Sequence, residues 1–246
     1  MNSREMPLNE HLAELRKTLL VSGATVAACS LIAFFAFGEQ MLASVTRPLI
    51  ELQVPVIATR VGEAFFTRVK ISLLAGFVLS FPVLAAQAIG FVLPALTRRE
   101  KVMVFVLFPL SVCLFAGGVA FAYFTVFPLV LKFLLVLAAG GLQPMITVRE
   151  YVSFLLAFFL PFGLVFQLPL AAFVLARIGL ITPGLLVKKR KYALLTIFIL
   201  AAVLTPGADV ISQLLLAGPM VLLYEVSILV TRAVYRLRPI PGSIEM

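Results

Sequence analysis

The chain has 246 residues, of which 62% are hydrophobic and only 13% charged, and its mean hydropathy is +1.13. An ordinary soluble domain is roughly 45–50% apolar and about 25% charged, and a compact fold cannot hide this much apolar surface from water. A soluble enzyme and a disordered chain are therefore excluded. The formal net charge of +9 belongs to cations flanking membrane spans rather than to a nucleic-acid surface.

Six uncharged or nearly uncharged stretches follow in chain order: 18–38, 71–97, 102–131, 151–176, 192–208 and 210–231. About 20 apolar residues cross the hydrocarbon core as a helix. Transmembrane β-strands would be shorter and alternating. The expectation is an all-α integral membrane protein with six transmembrane helices in a single domain, 1–246. The stretch 18–38 is too long for a signal-peptide core and follows Glu5, Glu10 and Glu14, so it reads as a retained span. The fifth stretch is the shortest. At 1.5 Å per residue it reaches roughly 26 Å, short of a ~30 Å core, so thinning of the bilayer is expected beside it, with water near Gln213.

Charge placement orients the chain. Lys and Arg cluster at 4–17, 98–101, 177–191 and 232–238, which carry 14 of the 20. The alternate connections carry Arg47, Arg60, Arg68, Lys70, Lys132 and Arg149. The positive-inside rule then puts both termini in the cytoplasm. The first outer connection, 39–70, holds Pro48 and Pro55 and is expected to form short helices on the outer face. Pro82, Pro94, Pro109, Pro128, Pro161 and Pro219 are expected to bend or interrupt helices. Gly117, Gly118, Ala120 and Ala122 suit a close helix-packing face.

Little supports catalysis. There is no phosphate-binding G-x-x-x-x-G-K-[ST] loop, and one histidine, His11, argues against a multi-ligand metal site. No cofactor is expected. Cys29 and Cys113 lie in apolar runs and read as packing residues. Polar groups in or beside the spans are more informative, since they are costly there. Glu14 leads into the first span and can pair locally with Lys17. Glu100 stands among Arg98, Arg99 and Lys101, where a local salt bridge would be worth little. Two carboxylates on one membrane face also suit a dicationic ligand. Gln167, beside Pro169, needs a partner at membrane depth. Asp209 suits the turn around Pro206-Gly207. Glu225, near the end of the last span, needs water or a cation.

Several runs together resemble the TatC family, the multi-spanning receptor subunit of the twin-arginine protein translocase. They are Glu10-His11-Leu12 with Glu14-Leu15-Arg16; Phe91-Val92-Leu93-Pro94-Ala95-Leu96 with Glu100; and Phe121-Ala122-Tyr123-Phe124 with Phe127-Pro128. Phe162-Gly163 with Phe166-Gln167-Leu168-Pro169, and Thr205-Pro206 with Asp209 and Ser212-Gln213, complete the set. The resemblance implies a glove-like, concave six-helix bundle whose last two spans are short. It implies a bacterial inner-membrane protein and no enzyme. Its function would be to bind twin-arginine signal peptides of folded proteins and to recruit single-span TatA- and TatB-type partners, in homo- and hetero-oligomers driven by the proton-motive force.

By the same resemblance, Glu14 and Glu100 are signal-peptide contacts, with Phe91, Pro94 and Leu96 around them. Pro48 is an outer-loop structural residue. Thr205, Asp209, Gln213 and Gln167 are polar positions for partner subunits. Many relatives carry Glu where this chain has Gln167, so an ionisable role there is replaced by hydrogen bonding. A small-solute transporter or channel is the alternative. It would want ionisable groups meeting at the midplane and usually an internal repeat, and neither is evident. An integral membrane enzyme acting on lipid would want clustered His, Asp or Glu at one interface.

Overall fold

The structure, a computed structural model, describes residues 8–51, 54–92, 98–137, 145–205 and 210–237, with side chains over 14–51, 54–90, 106–135, 145–205 and 210–236. Among the described residues eight α-helices follow one another: α1 (Leu8–Glu51), α2 (Glu63–Val92), α3 (Arg98–Phe121), α4 (Phe127–Lys132), α5 (Val148–Val165), α6 (Leu168–Arg177), α7 (Pro183–Leu204) and α8 (Val210–Leu237). Two π-helical segments, Ala122–Val126 and Phe133–Leu137, flank α4. Strands β1 (Val56–Ile57) and β2 (Ile146–Thr147) are two residues each and pair.

Helices dominate because lipid leaves no other partner for backbone N–H and C=O groups. Among the described residues, five helical stretches are long and apolar enough to cross a membrane: Glu14–Glu51, Glu63–Gly90, Val106–Leu135, Val148–Arg177 and Val210–Arg236. The expected fifth span is helical in α7 but falls short of that standard. Lys188, Lys189, Arg190 and Lys191 occupy its N-terminal half, and the apolar part ends at Leu204, leaving about 20 Å of apolar helix.

The first outer connection differs from its expectation. No separate helices form between 39 and 70 among the described residues. Instead α1 runs unbroken to Glu51 and α2 begins at Glu63. Charged residues mark where lipid ends, not where a helix must end. Pro48 accordingly lies inside the last turns of α1 rather than in a loop.

The chain divides into two compact units. The first gathers α1, β1, α2, α3 as far as Cys113, and Thr147–Val152. Here α1 and α2 pack antiparallel, and Gly76 makes the approach possible. A Cβ on Gly76 would collide with the backbone N and Cα of Ser30. About two turns away along α2, Arg68 donates from Nη2 to the Phe34 carbonyl at 3.2 Å and lies over the Phe34 ring, 4.9 Å from its centroid.

The second unit holds the rest of α3, both π segments, α4, most of α5, and α6 to α8. Its core is aromatic. Phe115, Phe127, Phe158 and Phe162 are buried. Phe127 meets Phe154, Phe158 and Phe159 with ring centroids 5.5–5.9 Å apart. Gly118 and Ala122 form the expected packing face, with Gly118 against the Phe162 carbonyl and Ala122 buried. Gly117 and Ala120 point away from it. The π segment at Ala122–Val126 has a local cause: Pro128 lacks an N–H, and its ring crowds the carbonyl four residues earlier, so the helix widens and Phe127 N–H reaches back to Ala122. Pro82, Pro109, Pro161 and Pro219 sit inside helices.

Candidate functional site

In the first unit, the pair Ser30–Gly76 fixes the antiparallel register of α1 and α2. Counting equally far along both helices from that pair brings Glu14 level with Val92, the last residue of α2. The chain next enters α3 at Arg98. Glu14 is half-buried. Its ion pair with Lys17 does not form among the described residues. Glu100 falls in the first turn of α3 and Phe91 in the last turn of α2, but their side chains lie outside the described set, as do Pro94, Leu96 and Asp209.

At Gln167 the helix is interrupted within the expected span, which as a whole runs Val148–Arg177. α5 ends at Val165 and α6 starts at Leu168. The Gln167 N–H donates to the Leu164 carbonyl at 3.0 Å, and its own carbonyl accepts from Ala171 at 2.8 Å. Pro169 in the first turn of α6 has no N–H to offer, which suits a helix start. A polar side chain is thus carried at an interruption where the backbone also changes partners.

The α7–α8 pair carries the other predicted polar residues. Thr205 is buried at the C-terminus of α7, and its hydroxyl donates to the Ala201 carbonyl at 2.7 Å. Gln213 donates from Nε2 to the Phe198 carbonyl at 3.0 Å, tying α8 to α7. At the other end, Glu225, expected to reach water or a cation, meets a cation: Arg190 Nη2 lies 2.6 Å from its Oε2. Tyr224 donates to the Leu186 carbonyl at 2.8 Å beside this pair. α7 itself begins with Thr182 as its cap, accepting from the Leu185 N–H at 3.1 Å. Its flank exposes Leu195, Ile199 and Val203, four residues apart.

Sequence reasoning passed over Glu63. This buried residue opens α2, and its carboxylate accepts from Thr59 N–H (2.7 Å), Thr59 Oγ1 (3.1 Å), Arg60 N–H (3.1 Å) and Arg149 N–H (3.0 Å). One side chain therefore fastens the end of the first connection to the start of α5. Gly62, with φ +88°, makes the turn that allows this. Thr59 and Gly62 just before a Glu were the available signal for a helix start; Arg149 was not findable from spacing.

Comparison with known proteins agrees along the chain. The family described as "Sec-independent protein translocase protein (TatC)" matches residues 10–219. The protein of that description from Carboxydothermus hydrogenoformans is 42% identical over 232 residues, spanning 94% of this chain and 95% of that one. The Escherichia coli K12 protein is 40% identical over 230 residues, covering 92% and 88%. Among solved structures, a crystal structure of the twin arginine translocase receptor TatC matches with a TM-score of 0.84 at 36% identity, covering 92% of this chain and all of that one. The same receptor in DDM gives 0.82 at 38% identity, covering 89% and 98%.

Proposed function

Because this chain belongs to the TatC family of Sec-independent protein translocase proteins, a multi-pass membrane component of protein transport, we propose that it is the receptor for twin-arginine signal peptides. In this reading it is one six-helix domain with both termini in the cytoplasm. Glu14 and Glu100 are the docking carboxylates, and Phe91, Pro94 and Leu96 line the site. The observation that carries the reading is the α1–α2 register. Glu14 lies level with the end of α2, and Glu100 stands in the first turn of α3, the next helix in the chain. Two adjacent guanidiniums repel, and a carboxylate offers each a forked, charge-assisted contact.

The α7–α8 pair is then the region where single-span TatA- and TatB-type subunits dock. The exposed Leu195, Ile199 and Val203 supply an apolar flank. Thr205, Asp209 and Gln213 supply polar positions at one end, and the Gln213–Phe198 bond keeps the two helices at fixed spacing. Gln167 contributes a hydrogen-bonding group at the helix break. Transport draws on the proton-motive force.

Photo-crosslinking of a twin-arginine signal peptide to the purified protein tests the proposal. Loss of one charge-assisted contact is worth about 1.5–3 kcal/mol, or roughly 10- to 150-fold in affinity. Glu14→Gln and Glu100→Gln should weaken crosslinking by that order while the protein stays folded. Replacing the peptide's two arginines with lysines should shrink the penalty. Normal crosslinking with lowered thermal stability in both variants would make these glutamates structural and remove the proposal.

A further inference from the structure

At the end of the first unit that carries residues 56–62, Arg60, Lys70 and Arg149 line a single cavity of about 340 Å³, together with Val61, Glu63, Phe66 and Thr67. The three cations come from separate places: the connection, two turns into α2, and the first turn of α5. Glu63 is the one carboxylate in the lining, so the walls carry a net charge of +2. That carboxylate already accepts four hydrogen bonds, three of them from backbone N–H groups. It is committed to holding the loops together and offers little to an incoming cation. The cavity is therefore built for an anion.

Its surroundings specify the kind. The six Lys and Arg assigned to this side of the membrane are few, as the positive-inside rule demands. Half of them converge on this cavity. The rim is apolar: Phe66 is 67% exposed and Val61 fully exposed, and neighbouring Phe65 also faces outward. Aromatic side chains at the level of headgroups sit with their rings against acyl chains. A ligand that satisfies both features carries phosphate at one end and hydrocarbon at the other. We propose that this cavity binds the headgroup of an anionic phospholipid from the leaflet opposite the termini, with Arg60, Lys70 and Arg149 around the phosphate and Val61, Phe65 and Phe66 against the chains. The bound lipid would lie across the connection and the start of α5, the same two segments that Glu63 joins.

The inference rests on the membrane-spanning reading and on the orientation proposed above, not on signal-peptide recognition. Lipid retention is measured without any peptide, so either idea can fail alone. The test uses the full chain in nanodiscs of phosphatidylcholine containing a graded fraction of phosphatidylglycerol, followed by native mass spectrometry of the lipids that stay bound. The wild type should retain phosphatidylglycerol in preference to phosphatidylcholine. The triple variant R60Q/K70Q/R149Q should lose that preference by roughly tenfold or more, the worth of a charge-assisted contact. Should the triple variant not fold, R60Q/R149Q carries the test, because both side chains are exposed. The control R47Q/K132Q removes two cations on the same side that do not line the cavity, and should leave retention unchanged. Equal retention in wild type and variant, or equal loss in the control, overturns the proposal. Displacement of the lipid by millimolar inorganic phosphate also overturns it, in favour of a site for the free anion.

Discussion

The α1–α2 hairpin and the aromatic core around α5 solve the same problem by different chemistry. Between helices in lipid there is no hydrophobic drive, because the acyl chains are as apolar as leucine. The hairpin answers with proximity and polarity. Gly76 lets the backbone of Ser30 come close, and Arg68 reaches across to the Phe34 carbonyl. The aromatic core answers with shape. Phe115, Phe127, Phe158 and Phe162 are fully enclosed, and Phe158 meets Phe127 edge to face and Phe162 stacked. One region depends on an absent side chain, the other on very large ones. Their responses to mutation should therefore be opposite in sign of volume.

The largest expected effect is on the hairpin. Gly76→Val adds volume where the neighbour is backbone and cannot give way. The loss should reach about 3 kcal/mol, the upper end for overpacking, read as a fall in unfolding temperature in detergent. Gly117→Ala, which meets nothing within 4 Å, should be neutral. Next comes Phe158→Ala in the aromatic core, expected to cost about 2 kcal/mol. That is below the 3–5 of a water-soluble core, since only packing and not transfer from water is lost. If Phe158→Ala were to cost more than Gly76→Val, the contrast between the two regions would be wrong.

Two smaller tests sharpen the picture at α7–α8. The Arg190–Glu225 pair is about two-fifths exposed on each side. Glu225→Gln should therefore cost only about 1 kcal/mol, and the exchange R190E/E225R should recover most of it in a double-mutant cycle. Gln213→Leu removes the bond to the Phe198 carbonyl and should cost about 0.6 kcal/mol, the usual worth of an interhelical hydrogen bond in a membrane. Its effect on co-purification of single-span partners should exceed its effect on stability. Equal, small effects on both would assign Gln213 to packing alone.

Apolar runs agree with five of the helical stretches long enough to span, but they did not mark where the helices end. The run 71–97 reported lipid, whereas α2 starts at Glu63 because a carboxylate that caps its own approach loop stabilises a helix start in water. Likewise α1 continues through Glu39, Arg47 and Pro48 to Glu51. A helix that lipid enforces can continue past the interface into water, so composition cannot mark its ends. The Glu225 prediction succeeded because an ionised group in a span has few options, and Arg190 was one of a handful of cations within reach. Gln167 was legible as a special position through Pro169, yet the two-residue interruption between α5 and α6 required knowing that α5 closes at Val165. Glu63 was illegible because its meaning comes from Arg149, 86 residues away.

The widened turn at Ala122–Val126 bears on how this chain tolerates changes in length. A π segment holds one more residue than the α turn it replaces, while the helices on either side keep their facing. Deleting a residue elsewhere in α3 would rotate everything downstream by about 100° and swing Phe127 out of the aromatic core. Deleting one inside Ala122–Val126 would let the turn tighten to α-helical geometry and leave that facing nearly unchanged. Insertions and deletions between related chains should accordingly gather at this turn and at Phe133–Leu137, the two places where the helix already stores a residue in reserve.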